Sequence, residues 1–585
     1  MIRLLKNIRK IDILYFVICT ILIIFQVWLE LKMPDYMANI TRLVQTKGAS
    51  INDILKEGGY MLLCAFGSLV SAFIVGYFSS VVASSFSLNT RRKLFDKTIN
   101  LGMEEIKKFK VSSLITRTTN DITQIEMIIG MGLSLMIKAP ITAVWAVTKI
   151  LGKSIEWSLL TALAVLILLT TIGIVMIIVM PRFKIVQELI DKLNLVTREN
   201  LNGIRVVRAF NAEKYQEDKF SEVNDSLTNV QMFNQKAFTT LSPVMYLVLY
   251  FLTLSIYFVG ASLINNANMG DKIILFGDMI VFSSYAMQVI MSFLMLAMIF
   301  MMVPRANVSA KRILEVMDTV NSIENGNVKE SSIKGEIEFK DVSFKYPDAD
   351  EYLLKDISFK INKGETVAFI GSTGSGKSTL VNLIPRFYDV TEGEILVNGI
   401  NVKDYDEKYL NNIIGYVPQK AVMFSGTIED NISFGSTKEG KPSSNMINKA
   451  IEVAQASDFV SKLEDKEKSH IASGGTNVSG GQKQRLSIAR TIARNPEIYI
   501  FDDTFSALDY KTDLILRKAL KKYTGDSTNV IVAQRIGTII DADKIIVLDK
   551  GKCVGIGTHK ELMKKCKVYK EIALSQVTKE ELDNA

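Results

Sequence analysis

The pattern of apolar and polar positions divides the 585-residue chain into two halves of different character. Six apolar segments lie within the first 305 residues, at about 13–32, 59–86, 127–150, 157–180, 240–264 and 273–303. Each is long enough for a helix to cross the roughly 30 Å hydrocarbon core of a bilayer. The stretches 87–126 and 181–239 are charged but helical in period, which predicts hairpins that continue far beyond the membrane.

A different pattern follows the last apolar segment. Residues 318–334 are polar and lack apolar periodicity, which is typical of a linker. From Gly335 to about residue 576, short β-rich runs alternate with helical stretches, which indicates an α/β domain. We therefore predict a multidomain chain: an all-α six-helix transmembrane domain over 1–317 with long cytoplasmic helical extensions, a linker over 318–334, an α/β domain over 335–576 and an acidic C-terminal tail over 577–585.

The N-terminus admits two interpretations. Basic residues at 3, 6, 9 and 10 precede the first apolar run, as they do in a signal peptide. A signal peptide has an apolar region of about 7–15 residues followed by small residues at a cleavage site. The run from Ile13 to Leu31 is longer and ends among charged residues, which favours an uncleaved span. With six spans and the positive-inside rule, we expect a multi-pass protein of a bacterial cell membrane, with both termini in the cytoplasm.

Composition changes this picture little. The chain is 48% hydrophobic with a mean hydropathy of +0.21, and its net charge is +8. In a membrane protein this charge is typical of loop asymmetry, so we expect no nucleic-acid partner. The four cysteines have neither metal nor redox spacing, and we interpret them as reduced thiols.

The first candidate functional motif of the α/β domain is a phosphate-binding loop. The predicted strand 366–370 leads into a glycine-rich loop and a helix from Thr379. The loop residues are Gly371, Ser372, Thr373, Gly374, Ser375, Gly376, Lys377 and Ser378. Glycines there let backbone N–H groups surround phosphate oxygens, and the helix N-terminus favours anions. Lys377 is expected to reach the β- and γ-phosphates, and Ser378 to ligate Mg²⁺, so ATP and Mg²⁺ are the predicted cofactors.

A second magnesium anchor is expected on another strand. The apolar run 498–501 ends in Asp502, and an acid in this position is the expected partner of the phosphate loop's hydroxyl. Such a strand is common by itself, but its combination with the phosphate loop indicates a nucleotide site.

Four further segments resemble the ATP-binding cassette (ABC) transporters. Residues Val478-Ser479-Gly480-Gly481-Gln482 resemble the signature loop, and Tyr346 the aromatic residue that stacks on adenine. Gln419 resembles the glutamine that senses magnesium and faces the membrane domain, and Ser506-Ala507-Leu508-Asp509 the loop that crosses between two cassettes. Six spans before one cassette match an exporter half-transporter of type IV. The resemblance covers essentially the whole chain and outweighs the alternative of another P-loop ATPase.

The resemblance implies a second half-transporter as partner. Two cassettes would face each other head to tail, with each ATP between one chain's phosphate loop and the other chain's signature. The hydroxyl of Ser479 and the amides of Gly480 and Gly481 would then donate to a γ-phosphate that the partner holds. Closure on ATP and reopening after hydrolysis would switch the access of the transmembrane cavity.

Two positions depart from the family's pattern. The family has Glu after the magnesium Asp, to polarise the attacking water, and a switch His near the γ-phosphate; here these positions hold Asp503 and Gln534. A shorter carboxylate is displaced by about 1 Å, which can cost about 10²-fold in rate, and a neutral amide cannot carry positive charge to the transition state. Residues 471–475 also lack the acid usual in exporters.

These departures leave two interpretations. Asp503 and Gln534 are either tolerated variants of a working site or the signs of a degenerate one. A degenerate site beside an intact signature favours a heterodimer whose partner carries the catalytic Glu and the switch His. The alternatives are a homodimeric exporter with slow hydrolysis, an ATP-gated channel or regulator, and a receptor-like sensor built on the same frame.

The sequence gives weaker indications about the hairpin tips and the substrate. Residues 111–117 and 202–210 mix apolar and charged positions and resemble coupling helices, although solvated hairpin ends would have a similar pattern. Five methionines recur at helical spacing on the sixth span, at 287, 291, 295, 298 and 302. They suit a small hydrophobic or amphipathic substrate such as a drug or lipid, but ordinary helix packing explains them equally well.

Two charged residues near the spans add candidates for function. Lys138 lies within a span and Asp278 at the edge of one, and an intramembrane charge is a candidate functional residue. The chain begins almost directly at its first span, without a peptidase domain before it, so we do not expect a self-processing peptide exporter. Membrane lipid is an expected partner of the six spans.

Overall fold

The structure is a computed structural model that describes residues 3–46, 48, 50–151, 155–435 and 440–576. The chain forms two compact units. The first comprises Met1–Ile99 and Val111–Thr319, and the second comprises Asn100–Lys110 and Val320–Ala585. The predicted tail at 577–585 lies outside the residues that the structure describes.

The first unit is helical throughout. Its helices are α1 (Lys10–Gln45), α2 (Ile51–Ile99), α4 (Val111–Thr116), α5 (Ile122–Leu151), α6 (Ile155–Asn202), α7 (Ile204–Ala209), α8 (Glu213–Asn266) and α9 (Met269–Met317); the short helix α3 (Met103–Phe109) belongs to the second unit. Six helical segments in the described part of the chain are long and apolar enough to cross a membrane. The predicted six-span architecture is therefore confirmed, and α6 and α8 continue well past their apolar runs, as the helical period indicated.

Three ion pairs lie along α1. The Glu30 carboxylate is 2.7 Å from Lys138 of α5, Asp35 is 3.0 Å from Lys149 of the same helix, and Asp278 of α9 is 2.9 Å from Arg42. Lys138 and Asp278, which the sequence marked as candidate functional charges, thus both lie in ion pairs between helices. A paired charge costs far less to bury than a lone one, and these pairs join α1 to α5 and α9.

The second unit holds two main sheets. Its strands are β1 (Ile337–Phe344), β2 (Leu354–Ile361), β3 (Thr366–Gly371), β4 (Glu392–Val397), β5 (Ile400–Asn401), β6 (Ile414–Val417), β7 (Gly426–Thr427), β8 (His470–Ile471), β9 (Ile498–Asp502), β10 (Thr528–Val532), β11 (Lys544–Asp549) and β12 (Lys552–Gly557). One sheet has the order β2-β1-β4-β5 and is antiparallel. The other has the order β12-β11-β3-β10-β9-β6 and is parallel except for β12. β7 and β8 form a separate pair.

Helices cover the parallel sheet. They are α10 (Lys377–Leu383), α11 (Glu407–Ile413), α12 (Ile428–Ile432), α13 (Ser444–Val453), α14 (Ser457–Val460), α15 (Gly480–Ala493), α16 (Tyr510–Tyr523), α17 (Ile536–Ile539), α18 (His559–Lys565) and α19 (Lys567–Gln576). β3 and β9 are almost entirely buried, which explains why both read as continuous apolar runs in the sequence. The predicted α/β domain is confirmed, and the carboxyl ends of β3 and β9 meet at one edge of the sheet.

The boundary between the units differs from the prediction. Residues 100–110 were assigned to the transmembrane domain, but they group with the nucleotide-binding half. Phe109 of α3 is buried there, and the Glu105 carboxylate accepts a hydrogen bond from the Ser322 amide at 2.8 Å. Charged α3 resembles a continuation of α2 in the sequence, which is why 100–110 were assigned to the transmembrane domain. The first predicted hairpin tip, at 111–117, belongs to the helical unit. The linker is also partly ordered, since Val328 forms a β-bridge with Tyr405.

Candidate functional site

The phosphate-binding loop joins β3 to α10. Gly374 and Gly376 have φ angles of 83° and 95°, in the left-handed region that glycine tolerates best. A Cβ on Gly371 would lie 2.1 Å from the Leu548 carbonyl oxygen, so only glycine fits there. The Lys377 ammonium donates to the carbonyls of Gly371 and Ser372, each at 2.8 Å, and burial lowers its pKa. The loop therefore has the conformation of a phosphate-binding site, with the Lys377 ammonium held inside it.

Asp502 ends β9 beside this loop. Its two oxygens accept hydrogen bonds from the Ser378 hydroxyl at 2.8 Å and from the Tyr416 hydroxyl at 3.2 Å. Burial raises the pKa of Asp502, although these two hydrogen bonds oppose the shift. Tyr416 was not among the predicted site residues, but it stands in the same short segment as Gln419. Its hydroxyl fixes the orientation of the carboxylate.

These groups fit a magnesium ion. Mg²⁺ prefers oxygen ligands and binds through one or two carboxylates or hydroxyls together with phosphate oxygens. Within the part of the chain that the structure describes, the buried Asp502 carboxylate accepts hydrogen bonds from uncharged donors alone, and one of them is the Ser378 hydroxyl. A bound Mg²⁺ would supply neutralisation of the phosphate charge here, with Ser378 and Asp502 as its holders. Gln419, the third predicted ligand, instead donates to Asp503.

The two departures from the family's pattern contact each other. Asp503 Oδ2 accepts hydrogen bonds from Gln534 Nε2 at 2.8 Å and from Gln419 Nε2 at 3.1 Å. The Asp503 side chain is buried, and its backbone has a φ of 45°. Asp503, Gln534 and Gln419 line a cavity of about 290 Å³ together with residues of the phosphate loop. The position expected to activate water is thus held by two neutral amides.

Tyr346 adjoins the start of α10. Its hydroxyl is 3.0 Å from the Thr379 hydroxyl, and its ring is perpendicular to that of Tyr388 at a centroid distance of 5.3 Å. The Lys107 ammonium lies 4.5 Å from the Tyr346 ring centroid and 5.1 Å from that of Tyr388. A hydrogen bond to Tyr388 is the main cause that raises the pKa of Lys107. No local sequence signal could have found Lys107, which precedes its partners by more than 200 residues.

The signature residues lie apart from this cavity. Ser479 is the N-cap of α15 and exchanges hydrogen bonds with Gln482, a capping box that explains the spacing of the two residues. Ser479 and Gly480 are exposed, and none of the four signature residues lines the phosphate-loop cavity. Asp509 caps α16 through the Thr512 amide at 2.9 Å and does not line the cavity either. The structure thus gathers most predicted residues into one site and leaves the signature facing outward.

Comparisons with known proteins agree with this geometry. A family model described as "ABC transporter" matches residues 354–506, and one described as "ABC transporter transmembrane region" matches residues 16–293. An uncharacterized ABC transporter ATP-binding protein of Mycobacterium tuberculosis is 37% identical over 88% of this chain and 87% of its own length. The chain belongs to the ABC transporter family.

Other relatives of this ABC transporter carry more specific names. A putative multidrug export ATP-binding/permease protein of Bacillus subtilis is 32% identical over 85% of this chain and 84% of its own length. An ATP-dependent lipid A-core flippase of Aliivibrio fischeri is 28% identical over 88% of each chain. The structure of a bacterial Atm1-family ABC exporter with ATP bound has the same fold, with a TM-score of 0.82, 22% identity, and coverage of 96% of this chain and 98% of that one.

The ABC transporter therefore has the layout of an exporter half-transporter: six membrane-crossing helices followed by one ATP-binding domain. Its place is the membrane, which it crosses several times. ATP binding belongs to the domain that carries the phosphate loop, and ATP-driven export across the membrane is the activity of this layout.

Proposed function

We propose that this chain is the ATP-retaining half of a heterodimeric exporter for small amphipathic or hydrophobic compounds. Its own phosphate loop would bind ATP with little turnover, and its signature would complete an active site on a non-identical partner. The observation that carries the proposal is the contact of Asp503 with both Gln534 and Gln419. The relatives named as a multidrug exporter and as a lipid flippase support the substrate class.

The geometry at Asp503 disfavours efficient hydrolysis. A general base must hold the attacking water and accept its proton. Asp503 Oδ2 already accepts two amide N–H groups, so among the described residues only Oδ1 is left to accept the proton of a water. Its side chain is also one methylene shorter than Glu, and a displacement of about 1 Å can cost about 10²-fold in rate. Gln534 supplies no positive charge for the transition state.

The signature residues, in contrast, are accessible to a nucleotide that another chain binds. A Cβ added to Gly480 would meet no atom within 4 Å, so the space above this glycine is open in the chain itself. The capping box of Ser479 and Gln482 fixes the first turn of α15, whose leading N–H groups point out of the helix. This end of α15 is a ready donor set for the γ-phosphate of a nucleotide held by another chain.

The test compares the chain alone with the chain co-purified with a half-transporter that carries Glu and His at the two departing positions. We expect the pair to hydrolyse ATP at least tenfold faster than this chain alone. In the pair, Asp503→Asn in this chain is expected to change turnover less than twofold. Gly480→Ala is expected to cut turnover about 100-fold, because its methyl group would displace the partner's nucleotide by about 1 Å.

The choice of Gly480→Ala separates an effect on the partner from damage to the fold. The added methyl group meets nothing in this chain, and Ala favours a helix more than Gly does. Vigorous, substrate-stimulated hydrolysis by the chain alone, abolished by Asp503→Asn, would show a working homodimer and overturn the proposal. ATP binding without uphill transport by the pair would favour a regulator or sensor instead.

A further inference from the structure

A cavity of about 350 Å³ lies within the helical unit, among α5, α6, α8 and α9. The residues that matter to its chemistry are Gln124, Phe183, Gln235, Phe238, Met302 and Arg305. Neither the family matches nor the geometry of the nucleotide site indicates a ligand for this cavity. Its volume corresponds to a small organic molecule.

The cavity lies at one level of the four helices. Gln124 is in the first turn of α5, and Phe183 follows Pro181 just after the apolar run of α6. Gln235 precedes the apolar part of α8, and Arg305 follows the span Asp271–Ile299 of α9 by six residues. Each residue thus stands where its helix passes from apolar to polar sequence, the level of lipid headgroups on the cytoplasmic side.

Two aromatic rings, together with Met127 and Ile128, form the apolar part of the lining. The Phe183 and Phe238 rings are tilted against each other at a centroid distance of 6.2 Å. The Arg305 guanidinium carbon lies 5.5 Å from the Phe183 centroid, so the cation lies beside the apolar lining, and the Arg305 side chain is itself exposed. Met302, one helical turn before Arg305, adds a flexible side chain that adapts to irregular ligands.

Arg305 differs from the other arginines near it. Arg312 on the same helix is 3.4 Å from Asp121, and Arg117 is 2.8 Å from Glu315. Arg305 has no carboxylate within ion-pair distance anywhere in residues 3–46, 50–151, 155–435 and 440–576. A guanidinium beside aromatic rings and without a carboxylate is a recognition group for a carboxylate, sulfonate or phosphate.

We propose that this cavity binds an amphipathic anion. The apolar body of the ligand lies between Phe183, Phe238 and Met302, and its charged group accepts hydrogen bonds from Arg305, with the amides of Gln124 and Gln235 beside it. The role of this ligand as the transported substrate rests on the proposed export function. The binding itself does not, because it requires neither ATP nor a partner chain.

Two fluorescent probes with the same aromatic body separate charge from apolar contact. 1-Anilinonaphthalene-8-sulfonate carries an anion, and N-phenyl-1-naphthylamine lacks it. Both are titrated, without ATP, into the full chain in nanodiscs of a zwitterionic lipid, with empty nanodiscs as the background. We expect Arg305→Gln to weaken binding of the sulfonate about tenfold and to change binding of the neutral probe less than twofold, because only the anion receives the charged hydrogen bonds.

Arg182→Gln is the matched control. Arg182 is on α6 next to Phe183, stacks on Phe233 of α8 with its guanidinium carbon 3.9 Å from the ring centroid, and is outside the cavity lining. Its loss should leave both probes unchanged. Equal weakening by Arg182→Gln, or equal weakening of both probes by Arg305→Gln, would overturn the proposal. If Arg305→Gln does not fold, Arg305→Lys takes its place, and we expect weaker sulfonate binding with the neutral probe unaffected.

A second arm identifies the source of the anion. Adding phosphatidylglycerol to the nanodiscs should displace the sulfonate probe from the unaltered chain if the natural ligand is a lipid headgroup. Unchanged sulfonate binding would assign the cavity to a free amphipathic anion. Because both arms are read without hydrolysis, a failed heterodimer experiment leaves this result standing, and the reverse also holds.

Discussion

The acidic residues of the membrane-crossing helices and those of the nucleotide site are satisfied in opposite ways. In the helical unit, Glu30 and Asp35 each meet a lysine of another helix, and Asp278 meets Arg42. In the nucleotide site, the Asp502 and Asp503 carboxylates accept hydrogen bonds from uncharged hydroxyl and amide groups and from no cation among the described residues. The first arrangement neutralises charge within the fold. The second keeps charge available, at a cost in stability, for a ligand that brings charges of its own.

The same contrast applies to the cations. Lys138 donates to a carboxylate, whereas Lys377 donates to backbone carbonyls at 2.8 Å although two carboxylates lie nearby. Carbonyl groups hold the Lys377 ammonium in place without cancelling its charge. Unneutralised charge inside a protein therefore marks the functional site more reliably than the presence of charge does.

Removing the cation of the nucleotide site should have the largest effect. We expect Lys377→Met to weaken binding of Mg²⁺–ATP at least 100-fold, because the buried ammonium is the group expected to contact the β- and γ-phosphates. Equilibrium binding of a fluorescent ATP analogue measures this. Lys363→Met, at an exposed turn of the same domain, should leave the affinity within twofold. Equal affinity of Lys377→Met and the unaltered chain would contradict this assignment.

Breaking an ion pair of the helical unit should come next. Lys138→Met leaves the Glu30 carboxylate with two uncharged donors, Gln26 and Ser68, and should destabilise the chain by about 1–3 kcal/mol. Thermal unfolding in detergent measures the loss. The double variant Glu30→Gln with Lys138→Met should recover at least half of it, since no lone charge remains.

The exposed pair Lys214–Glu217 is the control for that experiment. Lys214→Met should leave the unfolding temperature unchanged, because solvent screens the pair. A double variant that is as unstable as Lys138→Met alone would show that Lys138 stabilises the unit by packing and not by neutralising Glu30.

Base stacking at Tyr346 should have a smaller effect. Tyr346→Ala is expected to weaken ATP binding about tenfold, in the range of a lost base–aromatic stack. Inorganic tripolyphosphate, which has no base, should bind the variant and the unaltered chain equally well. Tyr346→Phe keeps the ring, loses only the hydroxyl that contacts Thr379, and should stay within threefold. Parallel losses for ATP and tripolyphosphate would place Tyr346 in support of the loop instead.

Asp502 should produce the smallest effect and one of opposite sign. Burial raises its pKa in the folded protein, so its ionisation opposes folding. That cost is absent below the carboxyl's ordinary pKa and is complete once the pH has risen above the raised value. Without nucleotide and metal, Asp502→Asn should therefore raise the free energy of unfolding at pH 7 by about 1 kcal/mol or less, with a smaller difference near pH 4.

Mg²⁺–ATP should reverse that order. The ligand stabilises a protein that binds it, and Asp502→Asn removes a metal-binding oxygen. Thermal unfolding with and without Mg²⁺–ATP measures both signs on the same samples. A destabilised variant in the absence of ligand would show that the hydrogen bonds from Ser378 and Tyr416 outweigh the buried charge.

Local patterns predicted the elements that carry the chemistry. Apolar runs predicted the six spans, β3 before the Lys377 loop and β9, which ends in Asp502. Glycine spacing predicted the loop itself. Both patterns are local in the sequence. The contact of Asp503 with Gln534 could not be read in the same way, although each residue was singled out by itself. It depends on the parallel register of β9 and β10, which is set by the packing of the whole sheet.

Contacts between residues that are distant in sequence could not be predicted for a similar reason. Lys138 was recognised as an intramembrane charge, but its partner Glu30 is 108 positions away on another helix. Which two side chains meet depends on the rotation and crossing of both helices, and a single sequence does not encode these locally. The same holds for Lys107 and Tyr346.

The placement of residues 100–110 in the second unit has a consequence for synthesis on the ribosome. Lys107 emerges about 280 residues before Tyr388, on whose ring it rests. At 5–20 residues per second, the segment waits for its binding surface for about 14–56 seconds. During that interval buried Phe109 has no site to occupy, and a chain that stops before the second unit never provides one. An incomplete chain therefore exposes the apolar Phe109 side chain, which the finished transporter buries.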